Sequence, residues 1–248
     1  MIKTLRSLFF TLKWTLSSSS EIGPNRDHNE DSIFTHNQNA LKIAIVCDGV
    51  GGNNAGEVAS AMCCQLLSEQ LIQLPSSKLN KQTLKLLIKN VHSQIVKNGN
   101  ESASTKGMAT TLVAYIQKGK QHYIVWAGDS RAYLLRHQQL SQLTQDHSFV
   151  AEKVAQGIFT EEEAQNHHMA SMITSSIGGS EKSLRHIGIA NITPTKDDKI
   201  ILISDGVYGY ITPEQITSSA QESAAAITQL AINANTSDNC SAIVITLQ

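Results

Sequence analysis

Val46-Cys47-Asp48-Gly49-Val50-Gly51-Gly52 closes an apolar run that begins at Leu41, and the run ends in an acid followed at once by glycines. An ionised carboxylate beside an apolar strand is costly unless it is paired, hydrogen-bonded or bound to a cation. The glycines let the backbone turn tightly and approach a ligand closely. Taken alone, Asp-Gly after a strand fits a plain turn as well as a metal site. The arrangement recurs, however. Ile200-Ile201-Leu202-Ile203-Ser204-Asp205-Gly206 is a second apolar run ending in Asp-Gly, and Asp238-Asn239 immediately precedes a third, Cys240 to Leu247. Three acids thus fall at predicted strand ends, where side chains from distant parts of the chain can converge.

Working outward, Ser17 to Ile22 opens a strand that Gly23-Pro24-Asn25 breaks into a loop carrying Arg26, Asn29, Glu30 and Asp31. Ser32 to Thr35 and Leu41 to Cys47 read as paired strands, which brings that loop to Asp48. Glu57 to Leu74 and Thr83 to Lys97 have helical periodicity, closed by Pro75 and by Asn98-Gly99. Met108 to Gln117 and Gln121 to Ala127 predict an antiparallel hairpin, and Ala132 to Arg136 another strand. From Asp146 to about Gly179 apolar runs are weak and the segment reads as an insertion over the core, helical through Gln156 and again behind a capping box at Thr160 and Glu163. Leu184 to Ile192 and Lys199 to Ser204 return to strand, Pro213 to Ser219 and Ala220 to Ile232 to helix, and Cys240 to Leu247 to strand. This order predicts sheets packed together with helices outside, with neither a fixed-period repeat nor a second domain.

At 248 residues with 41% hydrophobic content, the chain can bury a sizeable core. A net charge of −1 and a pI near 6.7 give no basic footprint, which argues against nucleic acid as a partner. Cys47, Cys63, Cys64 and Cys240 follow no metal-finger spacing and fall in predicted buried elements, as expected of reduced thiols in the cytoplasm. Residues 1–16 form a basic amphipathic extension: wound as a helix, Ile2, Leu5, Leu8, Phe9, Leu12 and Leu16 share a face beside Lys3, Arg6 and Lys13. Lys13 interrupts any signal-peptide core, and the segment is too short and charged to span a bilayer. It would either touch a membrane surface or a partner, or dock as a capping helix on its own domain.

The candidate ligands are hard oxygen donors: Glu30, Asp31, Asp48, Asp129, Asp205 and Asp238, with backbone carbonyls such as that of Gly49. Oxygen-only sets favour Mg or Mn over Zn or Cu. Two such cations about 3.5 to 4 Å apart can hold a shared water, lower its pKa and orient it for in-line attack on phosphorus. Arg26 is the natural phosphate clamp, because its planar fork donates in pairs to anionic oxygens. No Gly-rich nucleotide loop and no serine nucleophile elbow occur, so transfer to water suits the chain better than transfer from a nucleotide. Other candidates have plainer readings. His167-His168 reads as a solvated pair, and Asp146-His147 as a helix N-cap rather than a base dyad. Asp129-Ser130-Arg131 reads as a turn with a local ion pair, and Trp126 and Met108 as core.

Taken in order, Gly23…Arg26…Asn29-Glu30-Asp31, Asp48-Gly49-Val50-Gly51-Gly52, Gly107-Met108-Ala109-Thr110-Thr111, Ala127-Gly128-Asp129-Ser130-Arg131, Leu143-Thr144-Gln145-Asp146-His147-Ser148, Ser204-Asp205-Gly206 and Asp238-Asn239 resemble the motifs of the PPM-type metal-dependent protein serine/threonine phosphatases, also called type 2C, of the bacterial kind. The resemblance implies an α+β fold: a four-layer α-β-β-α sandwich of two antiparallel sheets flanked by helix pairs. Residues 17–248 would be one domain, with a flap at about 147–179 shaping substrate access. It implies a dinuclear Mn or Mg centre in which Asp48 bridges both ions, the Gly49 carbonyl binds one, and Asp205 and Asp238 complete the other. Glu30 and Asp31 would act through coordinated water, Arg26 would hold phosphate, and Asp129 with Asp238 would form a looser third-ion site.

Two departures stand out. Val50 occupies the place where many eukaryotic members carry a His as general acid, leaving coordinated water as first candidate for the proton donor and His28 as second. Ile173-Thr174-Ser175-Ser176-Ile177-Gly178 lacks the Arg common near that position. The implied activity is hydrolysis of phosphoserine and phosphothreonine in cytoplasmic proteins, opposing a Ser/Thr kinase in signalling. The alternatives are a phosphoprotein-binding regulatory module of the same fold without turnover, and a hydrolase of small phosphate esters.

Overall fold

The run at 41–47 is a strand whose two faces enter two different apolar layers: Ile43, Ile45 and Cys47 pack with helices, while Ala44 and Val46 pack against a second sheet. The computed structural model describes residues 14–38, 41–50 and 55–248. In chain order the elements are β1 (Trp14–Glu21), β2 (Ser32–Gln38), β3 (Leu41–Cys47), α1 (Gly56–Gln73), α2 (Lys81–Gly99), the two-residue β4 (Ala109–Thr110), β5 (Leu112–Lys118), β6 (Gln121–Ala127), β7 (Arg131–Arg136) and β8 (Gln139–Gln142). There follow α3 (Phe149–Ala155), α4 (Glu161–Gln165), β9 (Ile177–Gly178), β10 (Gly188–Asn191), β11 (Lys199–Ile203), α5 (Asp205–Tyr208), α6 (Pro213–Ser219), α7 (Ala224–Asn233) and β12 (Cys240–Leu247).

Two five-stranded antiparallel sheets run in the orders β1-β12-β11-β7-β8 and β10-β6-β5-β3-β2, and β4 pairs separately with β9. Alternation along the strands assigns the layers. In β11, Ile200 and Leu202 face the other sheet whereas Ile201 and Ile203 face α5 to α7, and in β12 Ile243 and Ile245 divide from Ala242 and Val244 in the same way. Helices α1 and α2 cover the outer face of the β3-containing sheet. The result is the predicted sandwich, with an inter-sheet core and a helix-on-sheet core on each side. At one joint a charge is used inside: the Lys118 ammonium, drawn over the C-terminal end of α1, donates to the carbonyls of Leu71 and Leu74.

Several sequence expectations shift. Trp14 to Leu16, read with the amphipathic extension, are the first residues of β1, because Trp14 stacks on Tyr115 at 4.9 Å in the inter-sheet layer and pairs with Leu247; the rest of that extension, 1–13, lies outside the described residues. The hairpin partner β8 gave too weak an apolar signal to be predicted, being largely exposed. Asp146 is not a helix cap; Ser148 caps α3, and the Asp146 carboxylate is held by Arg131. The capping box at Thr160 and Glu163 is present. His167 and His168 stack on each other at 4.4 Å, with Phe149 and Phe159 rings beside His167. Among the described residues no helix is long and apolar enough to cross a membrane.

His147 ties the segment after β8 to the sheet. Its N–H donates to the Gly128 carbonyl at 2.9 Å, its carbonyl accepts from Thr174 at 2.7 Å, and its ring Nδ1 accepts from the Gly128 N–H at 3.3 Å. Burial, reinforced by His186, pushes the His147 ring down to about 4. Because the folded value lies below the ordinary histidine value, the neutral ring's contribution to stability is complete above about pH 6.5 and is lost as pH falls toward 4. The loss of unfolding free energy between pH 7 and pH 5, read from urea titrations, is therefore expected to be smaller in His147→Asn than in the native chain. Ile243→Ala, which empties part of the inter-sheet layer where Ile243 is fully buried, is expected to cost about 2–5 kcal/mol by the same measurement. Leu86→Ala, at a side chain 60% exposed, should change stability by less than about 0.5 kcal/mol.

Candidate active site

Antiparallel register decides which strand ends meet. Ser32 pairs with Cys47, Leu112 with Ala127, Arg131 with Ile203 and Glu21 with Cys240. The strand ends that carry Asp31, Asp48, Asp129, Asp205 and Asp238 therefore open at one end of the sandwich. Side-chain parity sets their depth: Asp31 and Asp48 each lie two residues from a side chain of the inter-sheet layer, Ile33 and Val46. A cavity of about 430 Å³ at this end is lined by Arg26, Asp48, Gly49, Val50, Asp129, Asp205 and Asp238, with Thr111, Ser171 and Ile173. Six of the eight site residues expected from sequence thus share one cavity. Glu30 and Asp31 are not in its lining; Glu30 meets Arg26, and Asp31 meets Ser204, the neighbour of Asp205.

Each is held by the backbone around it. The Asp48 N–H donates to Thr111 Oγ1 at 3.0 Å, and the Asp48 carbonyl accepts from the Thr111 N–H and the Thr110 hydroxyl, both at 2.8 Å. Gly49 donates to the Glu30 carbonyl at 3.1 Å, and a Cβ on Gly49 would stand 2.7 Å from that oxygen, so only glycine fits this crossing. Asp205 opens α5, where exposed N–H groups favour an acid. The preceding Ser204 hydroxyl donates to Asp31 Oδ2 at 2.8 Å and accepts from the Ser241 N–H at 2.9 Å. Asn239 braces the last loop by accepting from the Glu30 N–H at 2.9 Å and donating to the His28 carbonyl at 3.0 Å. The Arg26 guanidinium donates to Asp238 Oδ2 at 2.6 Å and, at 3.5 Å, to Glu30 Oε2.

The electrostatics are adverse. Burial, then repulsion from Asp205 and Asp31, holds the Asp48 carboxyl well above the usual range. Burial pushes Asp31 and Asp129 up to about 7, against hydrogen bonds from Ser241 and Ser204 in the first case and with Asp205 adding repulsion in both. Asp205 is raised by burial and by Asp238. Asp48 and Asp205 are partly solvent-exposed at the cavity wall, yet the protein around them is dense enough for desolvation to dominate. Oδ1 of Asp205 is buried without a hydrogen-bond partner among the described residues. Crowded carboxylates with an unanswered oxygen are a poor anion set and a good cation set. Every donor is a hard oxygen, so the residues fit Mg or Mn. His28, Glu30 and Glu57 also bring donor atoms within 4.8 Å of one another, beside the cavity lining.

Some contributors escaped sequence reasoning. Thr110, Thr111 and Asn239 stood in recognisable motifs, but nothing local showed that they pin Asp48 and Glu30. Ser171 and Ile173 reach the cavity from a segment with no regular periodicity. Asp129-Ser130-Arg131 makes no ion pair within itself: Arg131 reaches Asp146 at 2.7 Å and lies 3.6 Å over the Tyr208 ring, while Ser130 meets Thr111 at 2.7 Å. Trp126, read as core, is half-buried, its ring N–H donating to the Gln145 carbonyl at 2.8 Å, whereas Met108 is fully interior.

This geometry has close counterparts. A serine/threonine phosphatase, stp, of Listeria welshimeri is 37% identical over 190 residues, covering 75% of this chain and 74% of that protein. The crystal structure of the Mycobacterium tuberculosis serine/threonine phosphatase PstP/Ppp superposes with a TM-score of 0.85 at 29% identity, covering 95% of this chain and 99% of that one. The catalytic domain of PstP in complex with two manganese ions gives a TM-score of 0.82 at 29% identity, covering 96% and 99%. Protein phosphatase 2C is the family matched by residues 24–240, nearly the whole span from the Arg26 loop to the start of β12. With that span matched, the antiparallel sandwich in place and the acids gathered at its end, the chain belongs to the protein phosphatase 2C family.

Proposed function

We propose that the chain is a metal-dependent protein serine/threonine phosphatase that hydrolyses phosphoserine and phosphothreonine. The observation that carries this reading is the group of crowded, mutually repelling carboxylates, with Asp205 Oδ1 unanswered, facing a cavity that Arg26 edges. Asp48 would bridge two ions, the Gly49 carbonyl would serve one, and Asp205 and Asp238 the other, with Glu30 and Asp31 ordering the water around them. Two divalent cations in such a set lower the pKa of a shared water and orient it toward phosphorus. Manganese is the favoured metal, by analogy with PstP, and Asp129 with Asp238 would hold a weaker third ion.

The remaining roles belong to side chains. Arg26, whose side chain is 35% exposed, keeps part of its fork free for phosphate oxygens while its bond to Asp238 fixes that carboxylate's direction. Thr110 and Thr111 clamp the Asp48 backbone, which limits reorientation of its carboxylate during the reaction. Val50 lines the cavity and has no proton to give, and His28 is exposed and outside the lining; water in the cavity would supply the proton to the leaving serine or threonine oxygen. The segment 147–179 would act as the flap of a domain spanning 17–248, since Ser171 and Ile173 already border the phosphate end. Four free, buried cysteines suit a reducing cytoplasm, where a Ser/Thr kinase would supply the substrates.

The test is release of phosphate from a phosphothreonine peptide with and without Mn, set beside Asp48→Asn. The native chain is expected to require Mn, and Asp48→Asn to lose at least about 100-fold in kcat/KM, equivalent to several kcal/mol of charge stabilisation. Independently of turnover, Mn at about 100 times its Kd should stabilise the native fold by about 2.7 kcal/mol, and Asp48→Asn should erase most of that gain. Tight phosphopeptide binding without Mn-stimulated release would select the binding-module alternative instead. Hydrolysis of small esters with no action on phosphopeptides would select the third reading.

A further inference from the structure

Two more cavities adjoin the candidate site through shared lining residues. Ile173 is a shared wall between the site cavity and a neighbouring one of about 250 Å³, which is bordered by backbone and hydroxyls of 174–176 and by Lys182 and Arg185. Arg185 is in turn shared with a cavity of about 560 Å³, the outer of the two, which is also lined by Lys85 and Lys89. These two lysines are one turn apart on α2 and lie on the same helix face. The groove therefore leads from a carboxylate-rich site to a run of cations.

The cations lack partners, whereas the two acids that border the outer cavity have them. The side chains of Lys85, Lys89, Lys182 and Arg185 make no hydrogen bond or ion pair among the described residues. Of the acids bordering the outer cavity, Glu152 accepts from the Thr174 hydroxyl at 2.6 Å and Asp146 is bound by Arg131 at 2.7 Å. A further cavity of about 510 Å³, which shares Asp129 with the site, is bordered by Glu161, by the paired Asp146 and Arg131, and by apolar side chains of α3. Among these cavities, cations without a partner lie in the two that share Arg185.

We propose that the groove from Ile173 past Arg185 to Lys85 and Lys89 binds an anionic segment of the phosphoprotein substrate that flanks the phosphoresidue being hydrolysed. This rests on the phosphatase reading above and adds a specificity to it. The recognised chemistry is a cluster of negative oxygens, supplied either by a run of carboxylates or by a second phosphate. Arg185 suits phosphate through its planar fork, and the two lysines act as point charges. Each exposed pair is weak and salt-screened, so recognition depends on several acting together.

The experiment uses the full chain with Mn and three phosphothreonine peptides: one with neutral flanks, one with a run of glutamates on one side, and one with a second phosphoserine on that side, each side tried in turn. A small aryl phosphate serves as the reference for folded, metal-loaded protein. An anionic flank on one side is expected to raise kcat/KM roughly tenfold over the neutral peptide, through KM. The advantage should collapse in Lys85→Ser/Lys89→Ser/Arg185→Ser, survive in Lys85→Arg/Lys89→Arg, and shrink at high salt. Comparison of the glutamate and phosphoserine peptides tells which source of negative oxygen is preferred. Equal kcat/KM for neutral and anionic peptides, or an advantage that persists in the triple serine variant, overturns the groove. Failure on every ester and peptide would instead overturn the phosphatase reading. In that case fluorescence anisotropy of the labelled peptides decides the groove separately: binding of the anionic-flank peptide that is lost in the triple variant sustains it, and equal binding of all three peptides overturns it.

Discussion

Mutual repulsion among Asp31, Asp48, Asp129 and Asp205 is the constraint around which this end of the molecule is built. Desolvation and like charge both disfavour ionising them together. Such a group persists only where the surrounding structure over-determines it, and the surroundings here do so mostly through main-chain and hydroxyl contacts. Thr110 and Thr111 grip Asp48, Ser204 answers Asp31, and Asn239 ties the last acidic loop to the first. None of these contacts neutralises charge. They fix position and leave the charge to be balanced by something that binds, which is the general pattern of a preorganised cation site.

The scaffold makes that cost bearable. Strands buried on both faces supply three apolar layers, so the acids hang from a rigid inter-sheet core rather than from loops alone. Antiparallel pairing then places alternate strand ends together, and the acids come from just before β2, just after β3, the β6–β7 turn, the start of α5 and the loop before β12. Hydroxyls rather than charges fill the narrow crossings. Glycine at position 49 lets two backbones pass at a distance a Cβ would forbid. Beside the site, the unpaired Arg185, Lys85 and Lys89 border a common cavity.

Much of this was legible in advance. Apolar runs ending at Asp48 and Asp205, and the one beginning after Asp238, marked both strand and site, because burial on two faces removes alternation and makes any terminal acid conspicuous. The capping box at Thr160 was equally plain, since its two hydrogen bonds span three residues. What failed was longer in range or weaker in signal. Trp14 to Leu16 join β1 because Trp14 finds Tyr115, a hundred residues away. Asp146 has the composition of a cap but is claimed by Arg131, and β8 is too exposed to show an apolar face.

By itself the sequence determined that sheets pack together with helices outside and the chemical type of the site, because each follows from local periodicity and from the oxygen donors placed at strand ends; the four-layer order was implied by the resemblance of its ordered motifs to the type 2C phosphatases. Tertiary structure alone decided which acids share the cavity, that Glu30 and Asp31 are outside its lining, which cation answers Asp146, and that unpaired Lys and Arg from α2 and from residues 182–185 border cavities that share Arg185. Those outcomes depend on strand register and on packing between residues far apart in the chain, and such contacts leave no periodic trace in the order of amino acids.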